Sequence, residues 1–387
     1  MEEVIIGGNR KARRVYGFDD VSIVPSEATI DPEDTETEIK IGEYTFTTPF
    51  MASAMDGVVD VKFAIEMGKL GGLAVLNLHG LQTRYDNPGE ILDEIAKKDP
   101  VEATPFIQEA YRQPIKDELI GRRVEEIKKG GVICSVSSTP QDAERFGAIA
   151  AEAGVDIFVI QSTVTSTKHL STKTKSLDVA AFCRDYKKPV LVGNSVSYKV
   201  AMNLMEAGVS GILVGVGPGA ACTTRGVLGI GVPQITCTAD SAAARDDYMK
   251  KTGRYVTIIT DGGMRVGGDI CKAFASGADA VMIGSPFARA DEAPGRGYHW
   301  GMATSHAALP RGTRVRVGVH GPLKNILLGP SLVDDGSQNL LGSIKNAMGL
   351  CGARTIAEFQ HVELVISPSF MTEGKLLQTA QRVGMGR

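Results

Sequence analysis

The sequence carries almost no surplus of charge. Its 42 Lys and Arg residues face 45 Asp and Glu residues, a formal net charge of −3. So close a balance offers no single-signed field for a nucleic acid or an anionic membrane surface, and neither is expected as a partner. Long apolar runs are missing as well, since none approaches the roughly 18 residues that cross a bilayer. The first residues, MEEVIIGGNRKARR, lack the order of charge, apolar stretch and cleavage site of a secretory signal, so a cytoplasmic location is expected. Cysteine is sparse: Cys134, Cys183, Cys222, Cys237, Cys271 and Cys351 lie far apart with no CxxC pair. That spacing argues against a disulfide framework or a zinc site, and most of these thiols are expected to be small core residues. Aromatics make up only 6% of the chain, whereas glycine supplies 45 residues. Few aromatics and many glycines suit an α/β enzyme with tight backbone turns.

One pattern recurs along the chain. A helical run ends in a small residue plus Gly, and a short apolar stretch follows, as in 65–77, 151–161, 205–216 and 274–285. The Gly can end the helix in the left-handed conformation, and the unbroken apolar stretch suits a strand buried on both faces of a parallel sheet. Stretches 49–54, 131–137, 189–194 and 256–262 complete a set of eight. Eight β/α units predict a closed (β/α)8 barrel in a single domain spanning 1–387, with an open doubly wound sheet as the alternative. Segment 84–130 is predicted to be a helical connection, with helices in PGEILDEIAKK and IKDELIGRRVEEIKKG. Further helices are predicted over 239–253 and from Ser337 to 352. Residues 286–336 are expected to be mobile and the tail 366–387 irregular.

A barrel of this kind places its chemistry at the C-terminal ends of the strands. Polar and glycine residues gather there. Gly215-Val-Gly-Pro-Gly-Ala-Ala-Cys222-Thr-Thr224-Arg225 frees the backbone to wrap a ligand or ion and puts a thiol at the barrel mouth, where it can act as a nucleophile. The bland alternative is a turn with an incidental Cys. Asp261-Gly262-Gly263 and Gly284-Ser285 follow the last two predicted strands, where such barrels cradle phosphate on backbone N–H groups. A carboxylate is wrong for phosphate but suited to paired ribose hydroxyls, so together they suggest a ribose 5′-phosphate, against the alternative of ordinary turn glycines and a helix-capping Ser. The six histidines show no ligand spacing, Met202 and Met205 suit a core helix face, and the basic run 121–129 suits a solvated one.

The motifs GVGPGAACTTR, YGFDDVSIVPS, PFMASAMDGV, ADAVMIGSPFARADEAPGRG, WGMA and SPSFMTEGK together resemble the IMP dehydrogenase/GMP reductase family, along nearly the whole chain. The resemblance implies a barrel that is usually tetrameric. It also implies that 84–130 stands where IMP dehydrogenases carry a pair of CBS modules, so this chain resembles a short form without them. Residue by residue, it makes Cys222 the nucleophile at purine C2 and Thr224 the threonine that helps activate water. Asp261 matches the ribose ligand, and Gly262, Gly263, Gly284 and Ser285 the phosphate loops. Ser53 and Met55 match residues lining the nucleotide, Asn194 the Asn beside the purine, and Gly301 and Met302 belong to the matched WGMA loop. Gln161, Ser162 and Gly215 fall in the nicotinamide region. The carbonyls of Gly217, Gly219 and Cys222 match a potassium site, completed by Glu373 and Gly374 of a neighbouring subunit.

The chain also departs from the pattern. Ala220 stands where many members have Ser, Gln161 where IMP dehydrogenases have Asp, and Arg311 where the reductases have a catalytic Glu. Arg311 is then the nearest basic residue for the hydrolytic step. The resemblance implies an NAD-dependent IMP dehydrogenase that makes XMP for guanine nucleotide synthesis. A GMP reductase using NADPH is the nearest rival, and an inactive nucleotide-binding relative is a second.

Overall fold

The computed structural model describes residues 3–169, 176–302, 314–366, 378 and 381. Eight parallel strands close into a barrel. They are β1 (Phe50–Ala52), β2 (Leu73–Asn77), β3 (Ser135–Ser138), β4 (Ile157–Gln161), β5 (Val190–Ser195), β6 (Gly211–Val214), β7 (Thr257–Asp261) and β8 (Ala280–Ile283). They follow one another around the barrel in chain order, and β8 closes on β1 with Val281 opposite Phe50 and Ile283 opposite Ala52. All eight overlap the stretches read from the sequence, the third least closely, since 131–137 was read and the strand runs from Ser135 to Ser138. Nearly every strand residue is buried, because one face fills the barrel and the other receives the helices.

The helices begin where side chains can satisfy their first N–H groups. Asp60 accepts from Phe63 N before Val61–Lys69, Asp178 from Ala181 N before Val179–Tyr186, and Ser197 from Val200 N before Tyr198–Glu206. Buried acids close the end of the barrel where the strands begin. Asp156, just before β4, accepts from Cys134 N at 2.8 Å and Lys128 Nζ at 2.7 Å. Asp279, just before β8, pairs with Arg245 at 3.0 Å and accepts from Ile258 N at 2.7 Å.

Three boundaries differ from the sequence reading. The connection 84–130 holds three helices, Pro88–Lys97, Pro100–Ala110 and Asp117–Lys129. The middle one, masked in the sequence by Pro105, is started by Asp99, which accepts from Val101 N and Glu102 N, and by Pro100 in its first turn. The helix expected from 239 starts at Gln234 and runs to Thr252. The one expected from Ser337 starts at Leu340, capped by Asn339, because Ser337 is held back by Asp335 through its N–H (2.9 Å) and its hydroxyl (2.6 Å). Arg123 is not on a solvated face. It is buried and donates to the carbonyls of Gln82, Tyr85 and Asp86. Within 286–336 the described residues form a hairpin of Tyr298–Trp300 with Arg314–Arg316, and a helix Leu323–Leu328. Arg311, Glu373 and Gly374 lie outside the described residues, as does most of the tail. No helix among the described residues is long and apolar enough to cross a membrane.

Candidate active site

The loop after β6 is shaped by its glycines. Gly217 has φ +78°, and a Cβ there would fall 2.5 Å from Arg225 Cγ. Arg225 lies beneath the loop, donating from Nε to Val216 O (3.1 Å) and from Nη2 to Val232 O (2.7 Å). A turn closes from Cys222 N to Gly219 O at 3.0 Å, and the short helix Thr224–Leu228 follows. Cys222 is thereby left exposed, with its Sγ 3.2 Å from the hydroxyl of buried Thr224. Cys134, Cys237 and Cys271 are buried, and burial pushes each thiol up to about 12, which keeps them inert.

The neighbouring strand ends carry a polar cluster. Asp261 Oδ2 accepts from Asn194 Nδ2 at 2.7 Å and from Gln161 Nε2 at 3.0 Å, and Gln161 Nε2 also reaches Asn194 Oδ1 at 3.1 Å. One side chain each from β4, β5 and β7 is therefore locked to the others. Burial pushes the Asp261 carboxyl up to about 6, against the two amide donors, which pull it down. Among the described residues no hydrogen bond falls on Asp261 Oδ1, which leaves it for a ligand hydroxyl. Ser162 buttresses this cluster. Its hydroxyl donates to Val164 O and meets Thr165 Oγ1, both at 2.8 Å, while Thr165 N donates to Asn194 O at 2.9 Å.

Close contacts join the cysteine loop to its neighbours. A Cβ on Gly263 (φ +84°) would lie 2.9 Å from Pro218 Cβ, and one on Gly262 would lie 3.4 Å from Pro218 Cγ. A Cβ on Gly301 would lie 3.0 Å from Ala221 O, and one on Gly284 would lie 3.1 Å from Met55 Sδ and 3.6 Å from Ser53 Oγ. The Gly262 N–H is spent on Met282 O at 3.1 Å. Those of Gly263, Gly284 and Ser285 find no acceptor among the described residues and suit an anion. The Ser285 hydroxyl lies 2.9 Å from Nε2 of His299, whose ring burial and Arg289 push down to about 4, so it is neutral. Gly215, by contrast, is a structural position. A Cβ there would fall 2.6 Å from Asp261 O and 2.7 Å from the Gln234 side chain.

Gln234 was invisible in the sequence. It is buried, and its amide nitrogen reaches Val214 O (3.2 Å), Asp261 O (3.0 Å) and Gly262 O (3.4 Å), tying β6 to the loop after β7. Its position just after Pro233 at a helix start carried no signal of that role.

The family model of the IMP dehydrogenase/GMP reductase domain matches residues 15–375. This chain belongs to the IMP dehydrogenase/GMP reductase family. A Mycobacterium tuberculosis protein named an uncharacterized oxidoreductase is 39% identical over 372 residues, covering 94% of this chain and 99% of its own length. The inosine-5′-monophosphate dehydrogenase of Methanocaldococcus jannaschii is 27% identical, covering 94% of this chain and 95% of its own. That alignment spans 489 positions against 387 residues here, as befits a short family form whose connection 84–130 is three helices. A crystal structure of an IMP dehydrogenase/GMP reductase-like protein from Corynebacterium glutamicum superposes with a TM-score of 0.89 at 38% identity, covering 94% of this chain and 98% of that one. The chain is thus an oxidoreductase of this family.

Proposed function

We propose that this family member is an IMP dehydrogenase that oxidises IMP to XMP with NAD, in guanine nucleotide synthesis. The observation that carries the reading is the exposed Cys222, paired with Thr224, in a loop packed against the strand end that bears Asp261. On this reading the N–H groups of Gly263, Gly284 and Ser285 hold the phosphate, while Asp261 Oδ1 accepts from the ribose. Ser53, Met55, Asn194, Gly262, Gly301 and Met302 line the nucleotide. The Cys222 thiolate attacks purine C2 and forms a tetrahedral adduct, and loss of hydride leaves a thioimidate. Water, oriented by Thr224 and Arg311, hydrolyses it to XMP and frees the thiol. Holding both reactants on one rigid mouth makes the step effectively unimolecular.

The nicotinamide region fits NAD through one atom in particular. Gln161 spends its amide nitrogen on Asp261 and Asn194, and its Oε1 accepts no hydrogen bond from the described residues, so it can face a carboxamide N–H. Ser162 and Gly215 complete the region. NAD, when bound, accepts the hydride released from C2. The carbonyls of Gly217 and Cys222 accept no hydrogen bond among the described residues and suit a hard cation such as potassium, with Gly219 O, Glu373 and Gly374 completing the set in a homotetramer.

The test is reduced-nicotinamide absorbance with IMP plus NAD, beside GMP plus NADPH. NADH formation with the first pair supports the reading, and NADPH consumption with the second overturns it in favour of GMP reduction. Light scattering should give a tetramer, and replacing potassium by lithium should lower turnover. Indifference to that exchange removes the ion from the account.

A further inference from the structure

The connection 84–130 has a small core of its own, separate from that of the barrel. Leu81, Leu92, Ile95, Ile107 and Ala110 pack there with Trp300, and Tyr111 and Met302 lie against them. Trp300 is the single tryptophan of the chain and is fully buried. It ends the strand Tyr298–Trp300, whose antiparallel partner is Arg314–Arg316.

The connection grips both strands. Arg314 donates to the carbonyls of Ile95, Ala96 and Lys98 at the end of helix Pro88–Lys97, and its guanidinium lies 4.2 Å over the Tyr298 ring. On the other strand, Trp300 Nε1 donates to the Tyr111 hydroxyl at 2.9 Å. That hydroxyl lies 2.5 Å from Asp56 Oδ2 and 3.3 Å from Met302 Sδ. A phenol has one proton, and a carboxylate is a far better acceptor than a thioether. The proton therefore goes to Asp56 while the oxygen accepts from the indole. Asp56 Oδ2 also accepts from Leu81 N at 2.7 Å, which fixes the loop after β1 to the same point. One residue beyond Trp300, Gly301 backs onto the carbonyl of Ala221, the neighbour of Cys222.

We propose that Tyr111 is a positioning residue: through Asp56 and Trp300 it holds segment 300–302 against the Cys222 loop and so sets the reactivity of the thiol. The three-helix connection is then part of the active-site mouth. Its kinetic consequence rests on the reading of Cys222 as nucleophile, whereas the packing itself does not. Removing the hydroxyl leaves an indole N–H and a carboxylate oxygen each one partner short in a buried place, and the segment relaxes to satisfy them.

The test uses the full-length chain with Tyr111→Phe, which keeps the ring. Alkylation by iodoacetamide is followed by peptide mass spectrometry at Cys222, with Cys183 and Cys351 as internal references, and the emission of Trp300 is recorded. The expected result is a shifted emission and a Cys222 rate changed by about threefold or more, the order that one net hydrogen bond carries. The two reference cysteines should be unaffected. Trp300→Phe breaks the same bond from its other end and should change the Cys222 rate alike, the double variant adding little, and this variant decides the matter if Tyr111→Phe does not fold. An unchanged Cys222 rate in the folded variants overturns the proposal, as does a uniform rise at all three cysteines, which is general loosening. A selective change at Cys222 in the variants, when the wild-type protein is itself inactive on IMP with NAD, upholds the positioning role and defeats the proposed reaction instead.

Discussion

Replacing Asp261 by Asn should make the protein more stable and less able to bind its nucleotide. Burial at the end of β7 raises the carboxyl from 3.8 to about 6, even with Asn194 and Gln161 donating to it. The folded state therefore holds the proton more tightly than the unfolded chain does. Stability is highest where both are protonated and falls as pH rises between the two values, after which the loss is constant. A gap of roughly two units corresponds to about 3 kcal/mol. Asp261 is half-buried, and screening by nearby solvent reduces this to about 1–2 kcal/mol. Asn keeps an oxygen for the two amide donors and carries no charge, so Asp261→Asn should recover that amount at about pH 8 and progressively less towards pH 4. For a chain of 387 residues this is a rise in Tm of about 1–3 °C. Thermal melts followed by near-ultraviolet circular dichroism across that range read it directly. A variant that melts below the wild type at alkaline pH, or a difference that does not narrow on acidification, refutes the assignment of a strained, function-bearing carboxylate.

Three further outcomes follow from the same geometry. Thr224→Val removes the hydroxyl 3.2 Å from Cys222 Sγ; rapid mixing should keep the first burst of NADH while steady turnover falls roughly a hundredfold, and loss of the burst would give Thr224 another role. Gly215→Ala sets a Cβ 2.6 Å from Asp261 O at φ +143°, so Asp261 is displaced and KM for the nucleotide should rise at least tenfold, as isothermal calorimetry can check. Arg245→Met leaves buried Asp279 without its charged partner and should cost about 3 kcal/mol in denaturant unfolding, at the low end for a broken buried pair because Ile258 N and Gln360 still donate to the carboxylate, without altering KM.

The barrel was legible because most of its strands are apolar stretches and several of them, as at 71–77, 154–161, 208–214 and 277–283, follow a helix-ending glycine, a signal that needs no tertiary information. The cysteine loop, the glycine pair at 262–263 and Gly284 were legible because close approach demands small residues in sequence. The helix over 100–110 was hidden because Pro105 suggests a break, whereas the cap at Asp99 that starts it depends on local geometry. Gln234, Arg123 and Tyr111 were hidden for a different reason. Each satisfies groups far away in the chain, such as Asp261 O for Gln234 and Trp300 Nε1 for Tyr111. Pattern within a window carries no trace of such partners. Gln161 and Asn194 were read as separate contacts, and only the barrel shows them joined on one Asp261 oxygen.

Covalent capture at Cys222 tests the central claim most directly. The enzyme is acid-quenched during turnover of IMP with NAD, digested, and its cysteine peptides are weighed. The account predicts a purine nucleotide on the peptide containing Cys222 and on no other, with neither adduct nor NADH in Cys222→Ala. NADH formation by that variant, or a nucleotide carried by a different cysteine, would contradict it.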